Sequence, residues 1–235
     1  LGLSQKITAI DVNLGCSGFV TGLSLAKAVI VSGQAHNVLL LTAETYSKYM
    51  HERDKSNRTI FGDGAAATLV STEGIARIGN FVIGTDGTGA ENLIVKTGCA
   101  RNPKPLNDLK FDDYDNPHSS DNLYMDGPAI LNYSLESIPQ LFKDVLEKNG
   151  EEKNSIDLHV YHQANIFLAN LERRKLKIAP EKYYVNISKV GNTVSSTIPI
   201  ALCMAMEDGS LKQGMKVLSM AQGLGYTWGG MVLYF

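Results

Sequence analysis

The chain has 235 residues, 44% of them hydrophobic, with 22 Lys+Arg against 24 Asp+Glu, which suffices for a buried core and excludes a disordered tail or a mini-protein. A net charge of −2 offers no basic face for nucleic acid. Three cysteines, 83 and 104 residues apart, are too scattered for a disulfide framework or a zinc knuckle, which points to a reducing, cytoplasmic setting. The longest apolar stretches, such as Val38–Leu41 and Ile198–Met206, fall far short of the roughly 20 residues of a membrane span.

In chain order, the apolar run Ile7–Val12 predicts a buried strand. Asn13-Leu-Gly-Cys-Ser-Gly-Phe19 follows as a tight turn, and Phe19, Leu23, Ala26, Val29 and Ile30 recur at near-helical spacing up to Ser32-Gly33. Asn37–Thr42 predicts a second strand, so that Ile7–Thr42 reads as a βαβ unit with parallel pairing. Phe61–Val70 leads into another strand, and a boundary is placed after Gly74. Strand-like runs over Ile75–Thr85 and Leu93–Thr97 are separated by a glycine-rich turn, and Gly98–Asp121 reads as a long loop. Pro128–Asn149 has helical periodicity and the stop signal Asn149-Gly150. The remaining expectations are strands over Asp157–Tyr161, Tyr184–Ile187, Lys216–Ala221 and Gly230–Tyr234, and helices over Ile166–Leu176 and Val194–Met206. The class is α/β.

Three loops carry candidate chemistry. Cys16 stands between Gly15 and Gly18 at a strand-to-helix turn, where unsatisfied helix amides bias a thiol toward thiolate and glycines admit a substrate. Cys203 lies mid-helix among apolar neighbours and Cys99 in a loop, which singles out Cys16. The same cysteine also reads as an ordinary small core residue. His162 follows a predicted strand, and Asn192 stands 30 residues later in Gly191-Asn-Thr193. Side chains at strand C-termini of an α/β sheet converge, and two donors aimed at one point hold a thioester oxygen as charge develops. A structural histidine and a turn or helix-capping asparagine are the competing readings. No HExxH-type or clustered His/Asp pattern occurs among the five histidines, so a metal hydrolase lacks ligands.

Gly15-Cys-Ser-Gly-Phe19, Phe61-Gly-Asp-Gly-Ala65, His162-Gln-Ala-Asn165, Gly191-Asn-Thr193 with Ile198-Pro-Ile-Ala-Leu202, and Gly223-Leu-Gly-Tyr-Thr-Trp-Gly229 resemble, in order, the β-ketoacyl-acyl-carrier-protein synthase III family. The resemblance implies a thiolase-like fold of two stacked αβαβα halves in five layers. The first half, residues 1–74 carrying the cysteine, is expected to be incomplete, because the family's N-terminal portion is missing; residues 75–235 form the half carrying His and Asn. It also implies a cytoplasmic homodimer of lipid metabolism acting on acyl-carrier-protein or coenzyme A thioesters, without metal or redox cofactor.

By the same resemblance Cys16 accepts the acyl group, and His162 and Asn192 steady the enolate when a malonyl thioester loses carbon dioxide. The amides of Cys16 and Leu224 form the oxyanion hole. Lys55, Phe61, Met125, Gly127, Ala164, Asn165, Phe167 and Leu168 fall where relatives bind substrate. Two positions depart from the family. Phe167 stands where an arginine is common and cannot pair with phosphate; Lys55 stands where an arginine often stacks on adenine and lacks the planar guanidinium. The alternatives are a thiolase-fold acyltransferase passing the acyl group to an amine or hydroxyl, and a non-catalytic partner subunit.

Overall fold

The structure, a computed structural model, describes residues 2, 4–223 and 225–235. Its elements in chain order are α1 (Gly18–Val31), β1 (Asn37–Glu44), β2 (Gly64–Ser71), β3 (Arg77–Ile78), β4 (Val82–Thr85), β5 (Leu93–Ile94), β6 (Lys110–Phe111), β7 (Pro117–His118), β8 (Tyr124–Met125), α2 (Gly127–Asn149), β9 (Leu158–His159), α3 (Ile166–Lys175), α4 (Ile187–Val190), α5 (Thr197–Glu207), β10 (Lys216–Gly223) and β11 (Thr227–Tyr234).

The hairpin β10–β11 is the spine of the larger sheet. Strand β9 pairs parallel to β10, while β3 and β4 pair antiparallel to β11. Both of its faces are buried, and the period of two sorts its side chains. Val217 and Ala221 pack with Phe19, Val20 and Leu23 of α1 and Ile198 and Ala201 of α5. Leu218 and Met220 pack with Ile138, Leu141 and Val145 of α2 and Ala169 of α3. Each fully buried aliphatic stabilises by about 1.5–3 kcal/mol. The antiparallel pair β1–β2 lies against α1 and α5 on the far side. The layers therefore alternate helix, sheet, helix, sheet.

Helix α2 ends at its expected stop and begins one residue before Pro128. Asp126 Oδ1 accepts from the Ala129 amide at 2.9 Å, and Gly150 closes the helix at φ 65°, a left-handed position that glycine adopts without strain.

Several expectations are corrected. Ile7–Val12 is no strand and is exposed, Ile10 to 75%; no described strand pairs with it, and a strand without a ladder is not held. The βαβ unit goes with it, since the pairing partner of β1 is β2, antiparallel. Tyr184–Ile187 is no strand either, because the Asn186 and Ile187 amides are taken by Gln163 Oε1, both at 2.9 Å. The run Ile75–Thr85 breaks into β3 and β4, and Leu93–Thr97 shortens to β5. The long loop 98–121 holds a small hairpin, β6–β7. Cys203 is exposed on α5 rather than packed among apolar neighbours. None of the helices is long and apolar enough to cross a membrane among the described residues.

Candidate functional site

Cys16 sits in the turn before α1 and is 7% exposed. The Ser17 hydroxyl hydrogen-bonds that of Thr227 at 2.7 Å, tying the turn to β11. A methyl group on Gly223 would come within 3.3 Å of the Cys16 nitrogen and 3.1 Å of the Ser17 nitrogen, so the end of β10 backs directly onto this turn. The expected bias toward thiolate is corrected. Burial, then the nearby Glu44 carboxylate, push the Cys16 thiol up to about 12; desolvation outweighs the helix amides. Glu44 is held by the Ser195 hydroxyl, which donates to its Oε1 at 2.6 Å.

His162 ends the segment that follows β9 along β10, its amide donating to the Met220 carbonyl at 2.8 Å. Its Nδ1 lies 2.7 Å from Thr197 Oγ1, whose own proton goes to the Val194 carbonyl at 3.0 Å. The ring must therefore carry its proton on Nδ1, which leaves Nε2 as an acceptor. Burial pulls the imidazole down to about 4.

Asn192 is clamped at both ends to the segment before β2. Its amide donates to the Ile60 carbonyl at 2.9 Å, and its carbonyl accepts from the Gly62 amide at 3.0 Å. Its side-chain Oδ1 accepts from the Val194 amide at 2.9 Å, so the free group is the Nδ2 donor.

Cys16, His162 and Asn192 line one cavity of about 220 Å³. Phe61, Met125, Gly127, Ala164, Asn165, Phe167 and Leu168 line it as well. Asn165 additionally caps α3, accepting from the Leu168 amide at 2.8 Å, and Phe167 is 62% exposed at its rim. Lys55 is exposed and is not among the lining residues. Leu224 lies outside the described residues. Sequence reasoning misses Thr197 and Glu44; only the first carries a signal there, a hydroxyl in the first turn of a helix entering from the asparagine loop. Among the described residues, no group of three His, Cys, Asp or Glu is placed to hold a metal ion.

Buried titrating groups around the cavity give stability a definite pH profile. Burial pushes the carboxyl of Glu172 up to about 8 and pulls His159 down to about 3. Above about pH 4.3 the unfolded chain releases the proton that folded Glu172 keeps, so stability falls as pH climbs toward 8. Below about pH 6.5 the unfolded chain protonates both histidines and the folded one does not, so stability falls toward pH 4. Urea unfolding at stepped pH is expected to show a maximum near about pH 6.5. The Glu172→Gln variant should lose the decline of about 2 kcal/mol between pH 6.5 and 8; a decline that persists in the variant refutes the assignment.

Cys16, His162 and Asn192 thus share one cavity in an α/β fold, and comparison with known proteins gives the family. Residues 10–87 match the family described as 3-Oxoacyl-[acyl-carrier-protein (ACP)] synthase III, and residues 146–235 match the same family's C-terminal region. A β-ketoacyl-[acyl-carrier-protein] synthase III from Campylobacter fetus subsp. fetus is 35% identical over 235 residues, covering 100% of this chain and 69% of its own. Another from Caldanaerobacter subterraneus subsp. tengcongensis is 34% identical over 227 residues, covering 96% and 66%. A crystal structure of a 3-oxoacyl-(acyl-carrier-protein) synthase III superposes with a TM-score of 0.96 at 46% identity, covering 100% of this chain and 71% of that one. The corresponding enzyme of Aquifex aeolicus VF5 gives 0.81 at 33%, covering 98% and 68%. The chain belongs to the 3-oxoacyl-[acyl-carrier-protein] synthase III family, whose fold is the thiolase fold. It spans about two thirds of the length of the curated relatives.

Proposed function

We propose that the protein condenses an acyl thioester with a malonyl thioester, with Cys16 as nucleophile and His162 and Asn192 as the groups that meet the developing enolate. The observation that carries this is the single cavity shared by all three side chains.

In the first half-reaction Cys16 Sγ attacks the acyl carbonyl while its proton passes to His162 Nε2. A thiol raised this far needs a base, and the Nδ1–H form of His162 has one available. The sulfur–carbon bond to the carrier breaks, and the carrier thiolate leaves as a thiol with the proton that His162 Nε2 took from Cys16. In the second half-reaction the malonyl carboxylate leaves as carbon dioxide and its electron pair forms the enolate. Asn192 Nδ2 and the protonated His162 donate to the enolate oxygen. An imidazolium is unfavourable alone in this buried position, so the ring takes its second proton from solvent only as the malonyl carboxylate enters, and keeps it while an anion faces it. The enolate carbon then bonds to the acyl carbon, Cys16 is expelled, and the thiol recovers its proton from His162.

The proposal includes acyl-carrier-protein or coenzyme A thioesters as substrates, a cytoplasmic homodimer, and no metal or redox cofactor, since each step uses acid–base groups and amides of the chain. The division into halves 1–74 and 75–235 belongs to it too; β1–β2 falls in the first and the larger sheet in the second. Its support is the match to the family named above. The test is carbon dioxide release from malonyl thioesters by acyl-loaded protein. Acyl transfer to an amine or alcohol without such release would replace condensation with the acyltransferase reading.

A further inference from the structure

The two donors assigned to the enolate are held by different parts of the fold. The His162 amide hangs on β10 through the Met220 carbonyl, whereas Asn192 is clamped to the 60–62 segment ahead of β2. Their spacing therefore depends on what joins the two segments. Downstream of Asn192 the join is the bond between His162 Nδ1 and Thr197 Oγ1 at 2.7 Å. Upstream of it the join is the side chain of Gln163, the residue next to His162.

Gln163 is 1% exposed and commits both ends of its amide to one short segment. Its Nε2 donates to the Tyr184 carbonyl at 3.2 Å, and its Oε1 accepts from the Asn186 and Ile187 amides, both at 2.9 Å. Two backbone N–H groups can only donate, so the oxygen must be the atom that faces them. Asn186 stands at the N-cap of α4, but its own side chain turns to Met204 Sδ at 3.1 Å instead of capping. Gln163 supplies the acceptor that the first turn needs. From there the path to Asn192 is short: α4 is a single turn, the Gly191 amide donates back to the Ile187 carbonyl at 2.8 Å, and Asn192 follows. Asn186 and Ile187 are both buried, so water does not readily replace Gln163 at their amides.

We propose that Gln163 is a positioning residue for the condensation step: by holding the first turn of α4 to the His162 segment, it sets the place of Asn192 Nδ2 against His162. Gln163 is not among the residues that line the cavity, so it acts through its neighbours. The inference rests on the enolate role proposed above for His162 and Asn192. Both donors must come within about 3 Å of one oxygen, and a misplacement of about 1 Å can cost about a hundred-fold in rate. Loading of Cys16 makes no use of Asn192, and Thr197 still holds the His162 ring when Gln163 is changed. The two half-reactions should therefore separate.

The test measures two rates in the full chain: loading of Cys16 from an acyl-coenzyme A, by intact mass, and carbon dioxide release from malonyl-coenzyme A by the loaded protein. Gln163→Met keeps the length of the side chain and removes its acceptor and donor; it is expected to slow carbon dioxide release about ten- to a hundred-fold with loading nearly unchanged. Gln163→Glu keeps an acceptor for both amides and loses the donor to Tyr184, so it is expected to recover much of the release. A Gln163→Met protein that loses both rates in the same proportion is merely destabilised and overturns the proposal. Wild-type release in Gln163→Met, or a Gln163→Glu protein as impaired as Gln163→Met, overturns it too. Should Gln163→Met not fold, Gln163→Asn, whose amide stops one methylene short of α4, is read in the same way. If the wild type loads and releases carbon dioxide and the variants match it, only this inference falls; if the wild type releases none, the condensation reading falls with it.

Discussion

Replacing Asn192 by alanine is expected to slow carbon dioxide release from a malonyl thioester by about a hundred- to a thousand-fold, roughly 2.7–4 kcal/mol. The size follows from the state of the side chain. Oδ1 is already occupied by the Val194 amide, so only the Nδ2 donor is left free, and in the proposed mechanism removing it strips one of two groups that meet the enolate oxygen. Loading of Cys16, which depends on the turn amides and on His162 Nε2, should fall far less. His162→Ala should lose decarboxylation by the same order and slow loading too, because the high thiol pKa leaves Cys16 dependent on that base. Parallel assays of adduct mass and carbon dioxide would separate the two steps. Equal losses in both for Asn192→Ala would show that the asparagine serves acylation and would sink the assignment.

The second large effect comes from a residue with no chemistry of its own. A methyl group on Gly62 would fall inside the contact distance of the Val190 carbonyl oxygen and 3.6 Å from Gly191 Cα, and the Gly62 amide donates to the Asn192 carbonyl. Backbone atoms cannot swing aside as a side-chain tip does, so the loop carrying Asn192 must shift. Gly62→Ala is expected to destabilise the protein by about 1–3 kcal/mol and to slow decarboxylation nearly as much as Asn192→Ala. Gly74→Ala, where nothing lies within 4 Å, serves as the control. Wild-type decarboxylation in Gly62→Ala would mean that the 60–62 segment does not seat the asparagine.

The elements most legible in the sequence were those whose signals are local. Helix α2 could be read over 128–149 because its periodicity and its glycine stop lie within the segment; the Asp126 cap emerges with the structure. Ile7–Val12 misled because an apolar run is necessary for a buried strand but pairing is supplied from elsewhere in the chain. Tyr184–Ile187 misled for a different reason: the side chain of Gln163, over twenty residues away, satisfies the amides that a ladder would have used.

At the site, Cys16, His162 and Asn192 stood out because each sits in a short distinctive pattern in a turn or loop, although the strands expected before Cys16 and Asn192 are absent. The state of Cys16 was not legible, since the helix start is visible in sequence while Glu44 and the depth of burial are products of packing.

The bond between Ser17 and Thr227 joins residues 210 positions apart, and the bonds from Ser195 to Glu44 and from Ser196 to Thr42 span 151 and 154. Contacts of such range form late, because loop closure must precede any return from them. During synthesis elements emerge in chain order, yet the turn that carries Cys16 is tied to β11, which emerges some 210 positions later. The nascent chain therefore carries its cysteine without histidine or asparagine beside it. The cavity is complete only once the 210 positions that separate Ser17 from Thr227 have been made.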